Sequence, residues 1–156
     1  MKGKTPKETE ICMTELVIPN DTNLLGNLLG GRLMHWVDIA GALVATRHAR
    51  NVVATIQVDD LDFKHPIRQG EMVELHGKIT WVGKSSMEIK ISVNSENLIT
   101  GNKILTNEAY LVFVALDENQ KPTQVPELIL ETEEEKLEYE RAKERRLIRL
   151  KKNSNQ

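Results

Sequence analysis

The fold is decided by residues 31–49, which read GRLMHWVDIAGALVATRHA. At about 100° per residue, the apolar side chains of this stretch cover nearly the whole circumference of a helix. A helix that is apolar on most sides is buried on most sides. The segment therefore predicts one long helix at the centre of the molecule, and the rest of the chain must surround it.

The flanking sequence predicts the strands that surround this helix. Apolar runs bounded by turn residues are typical of strands, and two runs that alternate across a tight turn predict a hairpin with one solvated face. Strands are expected at residues 11–17, 52–58 (continued past a bulge through Leu61-Asp62-Phe63), 73–81, 87–93 and 103–116, the last buried on both faces. This order predicts an α+β hotdog fold, a curved antiparallel sheet wrapped around the helix and completed by dimerisation.

The chain divides into three zones. Residues 1–10 are polar and are expected to be a disordered lead-in, residues 11–126 carry the hotdog domain, and residues 127–156 are expected to form a charged C-terminal helix and tail. Thr132 and Glu135 have the spacing of a capping box, which marks a helix start. Acidic residues at the start of this helix and basic residues at its end complement the helix dipole.

Composition excludes several classes of function. The 156 residues carry 21 Lys and Arg against 23 Asp and Glu, and only 4% of them are aromatic. This argues against a surface built for nucleic acid or anionic lipid. With no signal segment and no run approaching the roughly 18 apolar residues of a membrane span, we expect a cytoplasmic protein. The lone Cys12 is expected to be a small buried residue on a strand.

Asp38 is out of place in the apolar helix. A charge inside an apolar layer costs free energy unless it is paired or faces a cavity, and its small neighbours Gly41, Ala42 and Ala45 are expected to leave space beside it. Asp38 is therefore either a functional carboxylate or a group paired within a dimer contact. Gly30 and Gly31 either let a ligand approach the unpaired N–H groups at the helix start or only make a turn.

Three other chemical signals are weaker. Gly77, Gly83, Lys84 and Ser85 imitate a phosphate-binding loop, but the spacing between the glycines is one residue too long and the stretch lies in a hairpin. The histidines show no metal-ligand spacing with a cysteine or carboxylate partner, so no metal site is expected. The serines lie in no nucleophile elbow.

Several blocks in order resemble the cytosolic acyl-CoA thioester hydrolases, a family of hotdog enzymes, across roughly residues 11–126. The blocks are Asn23-x-x-Gly26-x-x-x-Gly30-Gly31-x-x-Met34-x-Trp36-x-Asp38, Thr55-x-x-x-Asp59-x-x-x-Phe63, Pro66-x-x-x-Gly70-Glu71 and Gly83-Lys84-Ser85-Ser86-Met87. The resemblance implies hydrolysis of acyl-CoA to CoA and a fatty acid, without a cofactor. It also implies a homohexamer, a trimer of hotdog dimers, with each site between two protomers.

The resemblance assigns roles to particular residues. Asp38 corresponds to the family's general base or nucleophile, Asn23 to the loop asparagine that holds substrate and water, and Thr55 to the threonine that assists the aspartate. In this setting Gly30 and Gly31 would polarise the thioester oxygen. The exposed hairpin turn offers donors for the CoA phosphates at Gly83, Lys84, Ser85 and Ser86.

Two alternatives stay open beside the thioesterase. One is a non-catalytic hotdog sensor that binds acyl-CoA, and the other is a hotdog 3-hydroxyacyl dehydratase, which would use a histidine where this helix offers Asp38. The C-terminal helix also has two interpretations. It is either a solvated helix packed loosely on the assembly, or its basic end helps hold a CoA or nucleotide phosphate of a neighbouring subunit.

Overall fold

The computed structural model describes residues 1–59, 61, 63 and 65–154. Asp62, within the predicted continuation of the strand after residue 58, lies outside them, as do the last two residues of the predicted tail. The elements are α1 (Pro6–Thr9), β1 (Ile11–Leu16), α2 (Gly30–Ala49), β2 (Val52–Val58), β3 (Met72–Val82), β4 (Ser86–Glu96), β5 (Lys103–Leu116) and α3 (Glu133–Ser154).

The five strands form one sheet in the order β1-β3-β4-β5-β2, with every neighbouring pair antiparallel. Helix α2 contacts all five of them. Neighbouring strands are about 4.8 Å apart and a helix is about 10 Å wide, so one helix reaches five strands only if the sheet curls around it. The predicted α+β hotdog fold is confirmed.

The core lies between α2 and the curled face of the sheet. Val37, Ala40 and Val44 of the helix are fully buried, and Gly77 of β3 is so close that a Cβ there would lie 2.8 Å from Val44 Cγ2. The opposite side of the helix differs from the expectation of burial, because Ile39 and Leu43 are 37% and 49% exposed. An apolar stripe of α2 is thus left open in the single chain.

Helix α3 covers the sheet face opposite α2. Thr80 and Glu88, which alternate along their strands with core residues, are buried on this side. The prediction of a solvated hairpin face is therefore wrong at Thr80 and Glu88, because the sequence could not show that the helix beginning at Glu133 returns to cover them. The capping box is confirmed: Thr132 Oγ1 accepts from Glu135 N at 3.1 Å, and α3 begins at Glu133.

Buried ion pairs hold α3 to the sheet. Glu88 is fully buried and accepts hydrogen bonds from Thr80 Oγ1 at 2.6 Å, Arg145 Nη2 at 2.8 Å and Arg149 Nη2 at 2.7 Å. Burial opposes its charge, but the hydrogen bonds from these partners outweigh burial and leave the pKa of Glu88 below its ordinary value. Arg149 also donates to Asp59 Oδ2 at 2.9 Å. Two basic residues near the end of α3 are thus engaged within the chain itself.

The N-terminal segment is ordered against the domain, which differs from the expectation of a disordered lead-in. Thr5 caps the short helix α1, and Thr9 is buried. Lys4 N donates to Glu127 O at 2.9 Å, and Lys4 Nζ donates to His48 O at 2.8 Å. The ammonium group of Lys4 thus lies at the C-terminus of α2, where the helix dipole favours a cation. The polar composition of residues 1–10 did not reveal this contact.

Candidate active site

The structure brings Asp38 and Thr55 together. Asp38 is half-buried near the middle of α2, as the ninth of its 20 residues, and Thr55 Oγ1 donates a hydrogen bond to Asp38 Oδ1 at 2.8 Å. The register between β2 and β5 shifts just after Thr55, and such bulges commonly re-aim a side chain beside a site. The bond orients one carboxylate oxygen, while Oδ2 can still accept a proton from water.

The expected space beside Asp38 is absent at Gly41. A Cβ on Gly41 would lie 2.9 Å from two ring carbons of Phe113, a fully buried residue of β5. Ala45, one turn further along α2, is also fully buried. Gly41 therefore leaves room for the ring of Phe113, and Ala45 is packed in the core. The expectation of open space beside Asp38 is wrong at both residues.

Asn23 stabilises the loop before α2. Its Oδ1 accepts from Leu25 N at 2.9 Å and from Asn27 N at 3.1 Å, an Asx-type turn. These bonds occupy the side-chain oxygen and leave the amide NH₂ as the donor available to a ligand. Leu24 and Leu25 at the tip of the loop are fully and largely exposed.

Gly30 and Gly31 begin helix α2. The N-cap residue Leu29 provides no side-chain cap, so N–H groups of the first turn can bind a ligand. A Cβ on Gly31 would meet nothing within 4 Å, whereas one on Gly30 would lie 3.3 Å from the ring of Phe63. Asn23, Gly30 and Phe63 share the lining of a cavity of about 240 Å³.

The walls of this cavity include residues whose part in a site the sequence did not reveal. They are Asn27, Leu28, Leu33, His65, Pro66 and Ile67. Pro66 and Phe63 did fall within the blocks that resemble the hydrolase family, and that was the signal that pointed here.

The turn Gly83–Ser86 lies at the other end of the helix. Lys84 O accepts from Val125 N at 2.9 Å, and the next residue, Pro126, accepts a bond from His48 at the C-terminus of α2. A 20-residue helix is about 30 Å long. Within one chain the structure therefore separates this turn, and its exposed Lys84, from Gly30 and Gly31.

Two expectations about Cys12 and the histidines are wrong. Cys12 is exposed, because it faces away from α2 on an edge strand. His76 does have cysteine and carboxylate partners: its Nε2 lies 3.8 Å from Cys12 Sγ and 2.8 Å from Glu74 Oε1. Cys12 is 64 residues away along the chain, so only strand pairing reveals this contact. His48 is buried in the last turn of α2.

Comparison with known proteins identifies the family to which the chain belongs. A family model described as the thioesterase superfamily matches residues 25–101. A Bacillus subtilis protein named as an uncharacterized acyl-CoA thioester hydrolase, YkhA, is 44% identical over 83% of this chain and 75% of its own length. The chain therefore belongs to the acyl-CoA thioester hydrolase family of the thioesterase superfamily. Several mammalian relatives are longer, and the chain spans about a quarter to a third of their length.

Solved structures agree with this assignment. A hexameric apo acyl-CoA thioesterase is 39% identical, with a TM-score of 0.95 and full coverage of both chains. An acyl-CoA hydrolase from Staphylococcus aureus, solved with butyryl-CoA, CoA and CoA disulfide, is 31% identical over 97% of this chain and 95% of its own, with a TM-score of 0.86. That hydrolase has also been solved with an aspartate, an asparagine or a threonine changed to alanine.

Among the helices in the described part of the chain, none has both the length and the apolar character needed to cross a membrane.

Proposed function

We propose that this protein is an acyl-CoA thioesterase that hydrolyses acyl-CoA to free CoA and a fatty acid. The observation that carries the proposal is the hydrogen bond from Thr55 Oγ1 to Asp38 Oδ1, which orients a half-buried carboxylate on the central helix. The aspartate, asparagine and threonine changed in the S. aureus hydrolase have the same spacing along their chain as Asp38, Asn23 and Thr55 have here.

Asp38 would act by one of two routes. As a general base it takes a proton from water, whose oxygen bonds to the thioester carbonyl carbon; the C–S bond then breaks and the CoA sulfur receives a proton. As a nucleophile it attacks that carbon directly and expels CoA, and water then cleaves the mixed anhydride. Thr55 is a positioning residue in both routes, because it holds one oxygen of Asp38.

The complete site needs a second protomer. Asp38 lies eight residues after Gly30, about 12 Å further along the helix axis, too far for both to act on one carbonyl group. A two-fold axis beside α2 would run two such helices antiparallel. Gly30, Gly31 and Asn23 of one chain would then approach Asp38 of the other, and the turn with Lys84 would approach the same bound CoA.

The surface of the single chain supports this pairing. β2 is an edge strand of the sheet, and its Val52 and Ile56 are 71% and 58% exposed. Ile39 and Leu43 extend the apolar area along α2. Open strand edges and apolar patches of this kind mark association sites. We propose a homohexamer of three such pairs; the cytoplasmic location expected from the sequence stays a prediction.

The test is release of free thiol from short, medium and long acyl-CoAs. Asp38→Asn keeps the shape of the side chain but cannot accept the proton, so the rate should fall by about 10²–10⁴-fold. Thr55→Val should cause a smaller loss. Asp117→Asn, in an exposed turn whose hydrogen bonds an amide oxygen can also accept, should retain full activity.

The outcome also separates the alternatives. Tight binding with the thioester intact at every chain length would replace the thioesterase with the sensor. Hydration or dehydration of a hydroxyacyl group without release of CoA would favour the dehydratase. Light scattering on each variant must show an unchanged assembly before a loss of rate is assigned to Asp38.

A further inference from the structure

We propose that Cys12, Glu74 and His76 form a zinc-binding site on the sheet face opposite α2. Their donor atoms all lie within 4.8 Å of one another. His76 Nε2 is 2.8 Å from Glu74 Oε1 and 3.8 Å from Cys12 Sγ. Zinc holds sulfur at about 2.3 Å and nitrogen at about 2.0–2.1 Å, so the donors around a tetrahedral ion lie about 3.3–3.6 Å apart. The three side chains are within a small adjustment of that arrangement.

Strand pairing brings the three donors together. Cys12 of β1 is directly opposite His76 of β3, and Glu74 lies two residues before His76 on the same face. The backbone positions are therefore held by a regular ladder of hydrogen bonds. A site built on strands needs only side-chain rotation to close around an ion.

The chemistry of the donors selects the metal. One thiolate, one imidazole and one carboxylate are ligands that zinc commonly takes, and three protein ligands leave a fourth position for water. Cys12 and His76 border a groove of about 490 Å³, which gives that water room. On binding, the Cys12 S–H bond breaks, an S–Zn bond forms and the proton passes to the buffer.

A thiol nucleophile fits these residues less well. Both contacts of His76 use the same ring nitrogen, so the imidazole cannot relay a proton from Cys12 to Glu74. Burial and the nearby Glu74 raise the pKa of Cys12, which lowers the thiolate population without a metal. Convergence of sulfur, nitrogen and oxygen on one point is what a cation requires.

Lys103 is a cation that already contacts one of the three proposed zinc ligands, Glu74. Its Nζ lies 3.0 Å from Glu74 Oε1, the same oxygen that contacts His76. The ammonium therefore competes with an incoming cation for the carboxylate. Removing it should strengthen zinc binding, whereas a change that only disturbed the strand would weaken it.

The experiment uses the untagged full-length chain, stripped of metal by a chelator. Zn²⁺ affinity is measured by competition with a chromophoric chelator, and Co²⁺ is added separately to record its electronic spectrum. We expect one Zn²⁺ per chain, at least tenfold weaker binding in Cys12→Ser and His76→Gln, and tighter binding in Lys103→Gln. Thr14→Ser, on the same strand and face, serves as the matched control and should bind like the wild type.

Cobalt identifies the ligand directly. The wild type should show a thiolate-to-cobalt charge-transfer band that disappears in Cys12→Ser. Absence of saturable zinc binding, or equal affinity in Cys12→Ser, would overturn the site. Thiol release from acyl-CoA should be the same with and without zinc, because Asp38 lies on the helix at the other face of the sheet. The site and the proposed function can therefore fail separately.

Discussion

At Gly41, helix α2 and strand β5 leave no room for a side chain. A Cβ there would lie 2.9 Å from the ring of Phe113, which is fully buried and cannot move into solvent. Overpacking of this kind costs about 1–3 kcal/mol, which exceeds the gain of up to about 1 kcal/mol in helix propensity from Gly to Ala. Gly41 is therefore required by packing between helix and sheet.

We predict that Gly41→Ala lowers the free energy of unfolding by about 1–2 kcal/mol, measured from the denaturant midpoint at fixed protein concentration. Gly31→Ala is the matched control, because it is in the same helix with nothing within 4 Å of the new methyl group. That control should be neutral or slightly stabilised. If Gly41→Ala were equally stable, the close approach of Phe113 would not constrain the position.

At the scale of elements, α3 depends on one buried carboxylate. Glu88 lies between Arg145 and Arg149, and Arg145 also lies over the Tyr110 ring, 3.8 Å from its centre. A buried charge that loses its partner is costly. Removing Glu88 takes away the carboxylate that pairs with Arg145 and leaves Arg149 with Asp59. The interpretation of α3 as a solvated, loosely packed helix is therefore wrong, because buried ion pairs hold it to the sheet.

We predict that Glu88→Gln destabilises the fold by about 3 kcal/mol and exposes α3 to limited proteolysis. Glu108→Gln is the control, since Glu108 lies on the same face with a half-exposed side chain and a distant ion pair to Lys90. Its effect should be within about 0.5 kcal/mol of zero. Equal protease resistance in the wild type and Glu88→Gln would refute the anchoring role.

The same carboxylate predicts a dependence on pH. The pKa of Glu88 is lower in the folded chain than in the unfolded chain, where it is about 4.3, so the unfolded chain binds more protons in this range. The stabilising contribution is complete above that pH and is lost as the pH falls through the folded-state pKa. In Glu88→Gln, unfolding midpoints measured between pH 6 and pH 3 should therefore show a weaker acid dependence than the wild type.

At the scale of the whole molecule, the open edge of β2 and the exposed apolar stripe of α2 are the surfaces that we propose for assembly. Both lie beside the Asp38–Thr55 pair. A solved acyl-CoA thioesterase that covers all of this chain is hexameric. Association and catalysis should therefore be lost together.

We predict that Val52→Lys breaks the assembly, because it places a charge on an edge strand at a position that is 71% exposed in the single chain. Light scattering should show a smaller particle, and thiol release should fall with it. Ile99→Lys is the control: it is 95% exposed in the connection between β4 and β5, away from that edge. An unchanged particle size in Val52→Lys would exclude β2 from the interface.

Local sequence predicted the elements of this fold closely. Residues 103–116 formed a strand with the expected bounds, and the long helix begins one residue before its expected start, at Gly30. Periodicity is a local property, so neighbouring residues suffice to reveal it. Asp38 was also visible locally, as a charge in an apolar helix, and the roles of Asn23 and Thr55 came from resemblance to a family.

The tertiary structure alone decided which distant residues meet. Phe113 against Gly41, Arg149 on Glu88, and Cys12 beside His76 each join segments at least 60 residues apart along the chain. Such contacts depend on strand register and on which face a helix covers, and a shift of one residue in register turns every side chain to the other face. The amino-acid pattern specifies what each segment buries, whereas the folded sheet determines its partners.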